Sequence, residues 1–157
     1  MSRPNKALLL SLIPKVQELL AEPTKWGKGA MGRDVAGKEV ASDSAYACSW
    51  CLYGAIVKAC KFNSAGETLI FNFLSRDREV VLYIPPRLSP EEKELYAKTG
   101  MGSLIDYNDA PERTHAEILA LLERALTRAK ALPDEPAAAV STPPAPPQEA
   151  SWVDTPV

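Results

Sequence analysis

Apolar residues recur at helical spacing near both ends of the chain, with a glycine-punctuated stretch and an ambiguous middle between them. Leu8, Leu9, Leu12, Val16, Leu19 and Leu20 fall near one face and predict a first helix from about Lys6 to Ala21. Pro14 removes one backbone donor, so it kinks this helix or marks its true start with Ser11 as the N-cap; Glu22-Pro23 ends it. Gly27, Gly29, Gly32 and Gly37 then punctuate the chain, and Asp34–Gly37 reads as the turn of a short β-hairpin within residues 26–40. Ser42 or Asp43 caps a second helix predicted over 45–61, whose small residues Ala47, Cys51, Ala55 and Ala59 form a stripe for close helix approach.

Residues 64–84 fit two periods. Leu69, Ile70, Phe73, Leu74, Val80, Val81 and Ile84 suit a helix, with Ser64 and Glu67 as a capping box, yet two β-rich runs flank Ser75–Arg78. The balance favours helix for the first half and extended chain for the second. Ser89-Pro90-Glu91-Glu92 opens another short helix ending near Gly100. Asp109 as N-cap, Pro111 in the first turn and Glu112 at N3 open the last helix, whose buried stripe runs from Ile118 through Leu121, Leu122, Ala125, Leu126 and Ala129 to Leu132. Helix 45–61 is expected to pack against helix 110–131.

The fold class is therefore mainly α, a small helical domain over residues 1–132 with a short hairpin. Residues 133–157, rich in Pro and Ala, form a tail whose composition cannot bury a core and is expected to be disordered. A net charge of −2 over 157 residues gives no reason to expect a nucleic-acid surface, although Lys25, Lys28, Arg33 and Lys38 make a local basic face. The run from Ala7 to Ile13 is too short to span a bilayer and lacks a signal-peptide cleavage site, so it is read as core. Three cysteines without an export signal suit reduced thiols and a cytoplasmic location.

The candidate chemistry is thin. Cys48, Cys51, Cys60 and the only histidine, His115, could in principle ligate zinc. On one continuous helix, however, Cys51 and Cys60 lie about 13.5 Å apart along the axis and about 180° around it. No metal and no cofactor are expected. A redox Cys48-x-x-Cys51 would need a thioredoxin-like frame that is missing. A cysteine hydrolase would take Cys48 or Cys51 as nucleophile, His115 as base and Asn108 or Asp109 as orienter. The order Asn before His is opposite to that of papain-like enzymes, and the three cysteines are read as buried structural thiols. His115, at the start of a helix, is expected to favour its neutral form. The glycine-rich stretch lacks the Gly-Lys-Ser/Thr of a phosphate loop. Trp26, Lys28, Arg33, Trp50, Tyr107 and Arg113 are the candidate binding residues, together with Trp152 as a partner anchor in the tail. Pro143–Pro147 can adopt polyproline II.

Three segments carry a resemblance: Trp26-x2-Gly29-x4-Asp34-x2-Gly37, Ala47-x2-Trp50-Cys51-Leu52-x-Gly54-Ala55, and Asn108-Asp109-x-Pro111-x-Arg113-Thr114-x2-Glu117-Ile118-x2-Leu121-Leu122. Together they resemble domain of unknown function 6197, a family of small bacterial and phage proteins, over roughly Leu8 to Ala129, with residues 62–102 poorly matched. Tyr107 stands where the family usually carries tryptophan. The resemblance implies a mainly helical domain and a phage or mobile-element origin, and brings no activity. The expectation is a non-enzymatic cytoplasmic protein that binds another protein, with no membrane contact and with its oligomeric state open. The alternatives are a Cys/His enzyme and a small-ligand binder using the hairpin.

Overall fold

A computed structural model of the chain describes residues 5–61, 63–98 and 103–134. Helix α1 spans Lys6–Leu19 and is capped by Asn5, whose side chain accepts the Leu8 N–H at 3.0 Å. Ser11 is therefore not the cap. Pro14 lies inside the helix, where it forfeits one backbone bond. Leu9, Leu12, Ile13, Val16 and the following Leu20 are buried.

Strands β1 (Gly32–Arg33) and β2 (Glu39–Val40) pair antiparallel, Gly32 opposite Val40 and Arg33 opposite Glu39. Asp34 builds the turn as expected: its Oδ1 accepts the N–H groups of Ala36 and Lys38, both at 2.9 Å, and Gly37 supplies the positive φ of 80°.

The second helix departs most from the sequence reading. α2 spans only Leu52–Cys60, and neither Ser42 nor Asp43 caps it. Residues 48–50 are instead extended along the hairpin. The Cys48 N–H donates to the Arg33 carbonyl at 2.8 Å, the Arg33 N–H to the Ser49 carbonyl, the Trp50 N–H to the Lys25 carbonyl, and the Gly27 N–H to the Trp50 carbonyl. Backbone pairing with the hairpin outcompetes the helical pattern there. The helix starts where that pairing stops, with Cys51 as its N-cap accepting the Gly54 N–H through sulfur at 3.3 Å. Ala47 consequently leaves the small-residue stripe, while Ala55 and Ala59 stay on the buried face.

Helix α3 (Ser64–Ser75) is capped by Asn63 rather than by Ser64. Residues 78–82 form a further helical turn, α4 (Arg78–Leu82), where extended chain was expected. Asp77 is the reason: its carboxylate caps Glu79 at 2.9 Å and is gripped by Arg124 through two bonds of 2.9 and 3.0 Å. α5 (Pro90–Lys98) opens on Ser89 as predicted, and α6 covers Leu104–Asp109.

The final helix, α7, spans His115–Lys130. Its capping box is Thr114 with Glu117, not Asp109 with Glu112. Two cap-like sequences lie five residues apart, and Asp109 ends α6 with its carboxylate engaged elsewhere, leaving Pro111 in the intervening turn. Ile118, Leu121, Leu122, Ala125 and Ala129 are buried, as their spacing required. α7 packs chiefly along α1, whereas α2 lies against α1, α3 and α6; the expected pairing of α2 with α7 is not the main contact. At the ends, Gln17 bonds Glu123 and Lys6 reaches the Leu132 carbonyl and Asp134. No helix among the described residues is long and apolar enough to cross a membrane. Residues 135–157 of the expected disordered tail, Trp152 among them, lie outside the described residues.

Candidate functional site

The three signature segments meet at Asn108, on the last turn of α6. Its side chain is 1% exposed, and every position of its amide that faces the protein is matched. Oδ1 accepts the Trp26 indole N–H at 2.8 Å and the Leu52 N–H at 3.1 Å. Nδ2 donates to the Gly27 carbonyl at 3.2 Å and to Asp109 Oδ1 at 2.8 Å. An amide offers two acceptor and two donor sites, so this set is complete. Asp109 also accepts the Gly29 N–H at 3.1 Å. Lys28 passes over the Trp26 ring, 5.5 Å from its centroid, to donate to the carbonyls of Ala110 and Pro111.

His115 borders this cluster, its ring 6.1 Å from that of Trp26. Its Nε2 lies 2.6 Å from the Leu20 carbonyl oxygen, which can only accept, so Nε2 carries a proton. Cys51 sits beside the cluster with its sulfur accepting the Gly54 N–H, and burial pushes its thiol up despite that bond. A thiol nucleophile needs a depressed pKa and a base to take its proton. Burial raises Cys60 likewise. Cys48, expected to be buried in a helix, is exposed on the extended segment and donates to the Arg33 carbonyl at 3.5 Å. Among the described residues, no three His, Cys, Asp or Glu side chains are grouped to hold a metal.

Arg113 is held by Tyr107 and Glu117. Its guanidinium lies 3.6 Å from the Tyr107 ring centroid, donates to the Tyr107 carbonyl and meets Glu117 at 2.6 Å. Burial raises the Glu117 pKa, but the bonds from Arg113 and Thr114 outweigh it and hold the carboxyl below its ordinary value. Arg33 donates to Gly37 and Lys28 carbonyls, and the buried Trp50 indole donates to Ser42 at 2.9 Å. The hairpin glycines offer no phosphate cradle either, since the Gly27, Gly29 and Gly37 N–H groups bond Trp50, Asp109 and Asp34.

A different surface stands open. Between α1 and α2, beside the extended segment 48–50, runs a groove of about 500 Å³. Trp50, Leu19 and Ala59 give it an apolar floor, with Cys48 at its side. Lys15, Lys25, Lys58 and Lys61 rim it, against the single carboxylate of Glu18. Lys58 Nζ stands 5.9 Å from the Trp50 ring centroid. Of these lining residues, the sequence pattern pointed only to Trp50, Cys48 and the basic tendency at Lys25. Lys15, Lys58 and Lys61 lie on two helices whose contact no local spacing announces.

A model of the family of unknown function DUF6197 matches residues 8–128. No curated protein and no solved structure matches the chain.

Proposed function

The chain belongs to the family of unknown function DUF6197, and on that premise we propose that it is a non-enzymatic protein-interaction module. Its working surface is the lysine-rimmed groove, and its partner is an acidic segment of a protein carrying an aromatic side chain. The observation that carries this reading is the groove's composition: four ammonium groups and one carboxylate around an apolar floor with Trp50. Like charges gathered around an apolar surface favour a partner of opposite charge with an apolar anchor. The alternative of a Cys/His enzyme gains no support from Cys51, whose thiol burial pushes up, or from His115, whose Nε2 is held by Leu20. A cytoplasmic location goes with the proposal, since Cys48, Cys51 and Cys60 are all free thiols. So does an accessory role in a bacterium or phage.

The test titrates the full chain with a short fluorescein-labelled peptide holding one tryptophan between glutamates. Saturable binding is expected that weakens with salt and is lost in Lys15→Glu/Lys58→Glu with the circular dichroism unchanged. Binding indifferent to that double substitution would overturn the groove as the surface. Tighter binding of a single-stranded oligonucleotide of equal charge would overturn the protein partner.

A further inference from the structure

We infer that the segment Glu149–Asp154 of this same chain docks in the lysine-rimmed groove, with Trp152 as the apolar anchor and Glu149 and Asp154 facing the lysines. The inference rests on the groove being a binding surface and goes further by naming an occupant.

Charge is the first argument. Residues 135–157 contain Glu135, Glu149 and Asp154 and not one Lys, Arg or His, so the negative net charge of the chain resides there. The groove carries the opposite sign, with four lysines against Glu18. Chemistry is the second. The only large aromatic side chain in residues 135–157 is Trp152, and it stands between Glu149 and Asp154. That is an anchor flanked by anions, matching an apolar floor flanked by cations.

Reach is the third. Asp134 is tied to Lys6 at 2.9 Å, which fixes where the final segment departs. Lys15 is nine residues along α1 from Lys6, about 13.5 Å up the axis and on the opposite side of a helix about 10–12 Å thick. Fifteen residues lead from Asp134 to Glu149, and a chain of that length can reach up to about 50 Å. It can round the helix and arrive with length to spare.

Tethering also relaxes the demand on affinity. A short linker holds its segment at an effective concentration of about 1 mM, so a contact with a Kd of about 0.1 mM fills the groove roughly tenfold over empty. An outside acidic partner then competes with this segment for the groove, and its apparent affinity falls by about the same factor.

Cys48 supplies a native reporter, because it is exposed at the groove while Cys51 and Cys60 are buried. The experiment compares the full chain with full-length Trp152→Ala and Glu149→Gln/Asp154→Asn, following iodoacetamide alkylation of Cys48 by mass spectrometry. Both variants are expected to react about tenfold faster than the parent and to bind the labelled acidic peptide about tenfold tighter. Identical rates and affinities in all three proteins would overturn the inference. Protection of Cys48 that grows with protein concentration would also overturn it, assigning the occupant to a second copy. Equal peptide binding by all three proteins would sink the tail inference and leave the groove reading standing. No peptide binding by any of them, with Cys48 equally reactive throughout, would sink both.

Discussion

Trp26 and Asn108 meet across 82 positions of sequence, the indole N–H donating to the amide oxygen at 2.8 Å. The same oxygen takes the Leu52 N–H, and the same amide nitrogen donates to Gly27. One side chain thereby fixes the approach to the hairpin, the start of α2 and the end of α6. Asn108→Ala would strand the Leu52 N–H and the Gly27 carbonyl along with the indole. Each unsatisfied buried group costs about 1–3 kcal/mol, so a total loss of at least about 3 kcal/mol is expected. Trp26→Phe removes the donor and part of the ring but leaves the other Asn108 bonds, and should cost about 1–2 kcal/mol. Urea melts measure both, and equal losses in the two variants would show that Asn108 is not the common tie.

Among the described glycines, Gly54 is the one with least room for a side chain. A Cβ built on it would lie 1.8 Å from the Met31 backbone oxygen. Alanine is favoured over glycine in a helix interior by about 1 kcal/mol, so propensity alone would make Gly54→Ala stabilising. The clash with backbone should win and cost at least about 3 kcal/mol, since the hairpin cannot retreat without breaking its pairing with residues 48–50. Gly27→Ala is the control, having no atom within 4 Å of its would-be Cβ. A Gly54→Ala protein melting at or above the parent temperature would refute the close approach.

Much of this was legible in the chain. The stripes of α1 and α7, the turn at Asp34–Gly37 and the start of α5 follow from local spacing, and local forces make them. The extended run at 48–50 was not legible, because Ala45–Ala55 has a good helical pattern and only the distant hairpin offers it a better arrangement. Asp109 does not cap the last helix for a related reason: it finds its partner in Gly29, far away in sequence, and Thr114 with Glu117 takes over the helix start. The site residues divide in the same manner. Trp26, Lys28, Asn108, Asp109 and His115 do come together, in one cluster of hydrogen bonds and ring contacts. The groove depends on Lys15, Lys58 and Lys61, which a linear reading leaves scattered.

Two arginines one turn apart on α7 should behave oppositely. Arg124 holds the carboxylate of Asp77, which is 2% exposed, so Arg124→Met leaves a buried charge without its partner. Breaking a buried pair costs about 3–5 kcal/mol, and the 40% exposure of the Arg124 side chain discounts this to about 2–3 kcal/mol. Arg128 stacks on Phe73 and donates once to its carbonyl, yet its buried Nη1 has no partner among the described residues. Burial pulls its pKa down, a sign that the charge is held at a cost. Methionine keeps the packing and removes that cost, so Arg128→Met should change stability by less than about 1 kcal/mol in either direction. Chemical denaturation of the two variants side by side gives the answer, and a larger loss at Arg128 would reverse the assignment.

Glu117 sets one acid limit of the fold. Its folded pKa is held below the ordinary 4.5, with burial opposing and the bonds from Arg113 and Thr114 prevailing. A carboxyl with a depressed folded pKa binds its proton more tightly when unfolded. The stability it adds is therefore full above about pH 4.5 and is lost as the pH falls through the depressed value. The loss should appear first at the start of α7, where Glu117 closes the capping box, and should free Arg113 from its place over Tyr107. Glu117→Gln can still accept from Thr114 but no longer titrates. Its stability should be lower than the parent's at pH 7, and the difference should shrink steadily between about pH 5 and pH 3. Guanidinium midpoints measured across that interval test the point, and two curves that stay parallel would mean that the carboxylate contributes nothing through its charge.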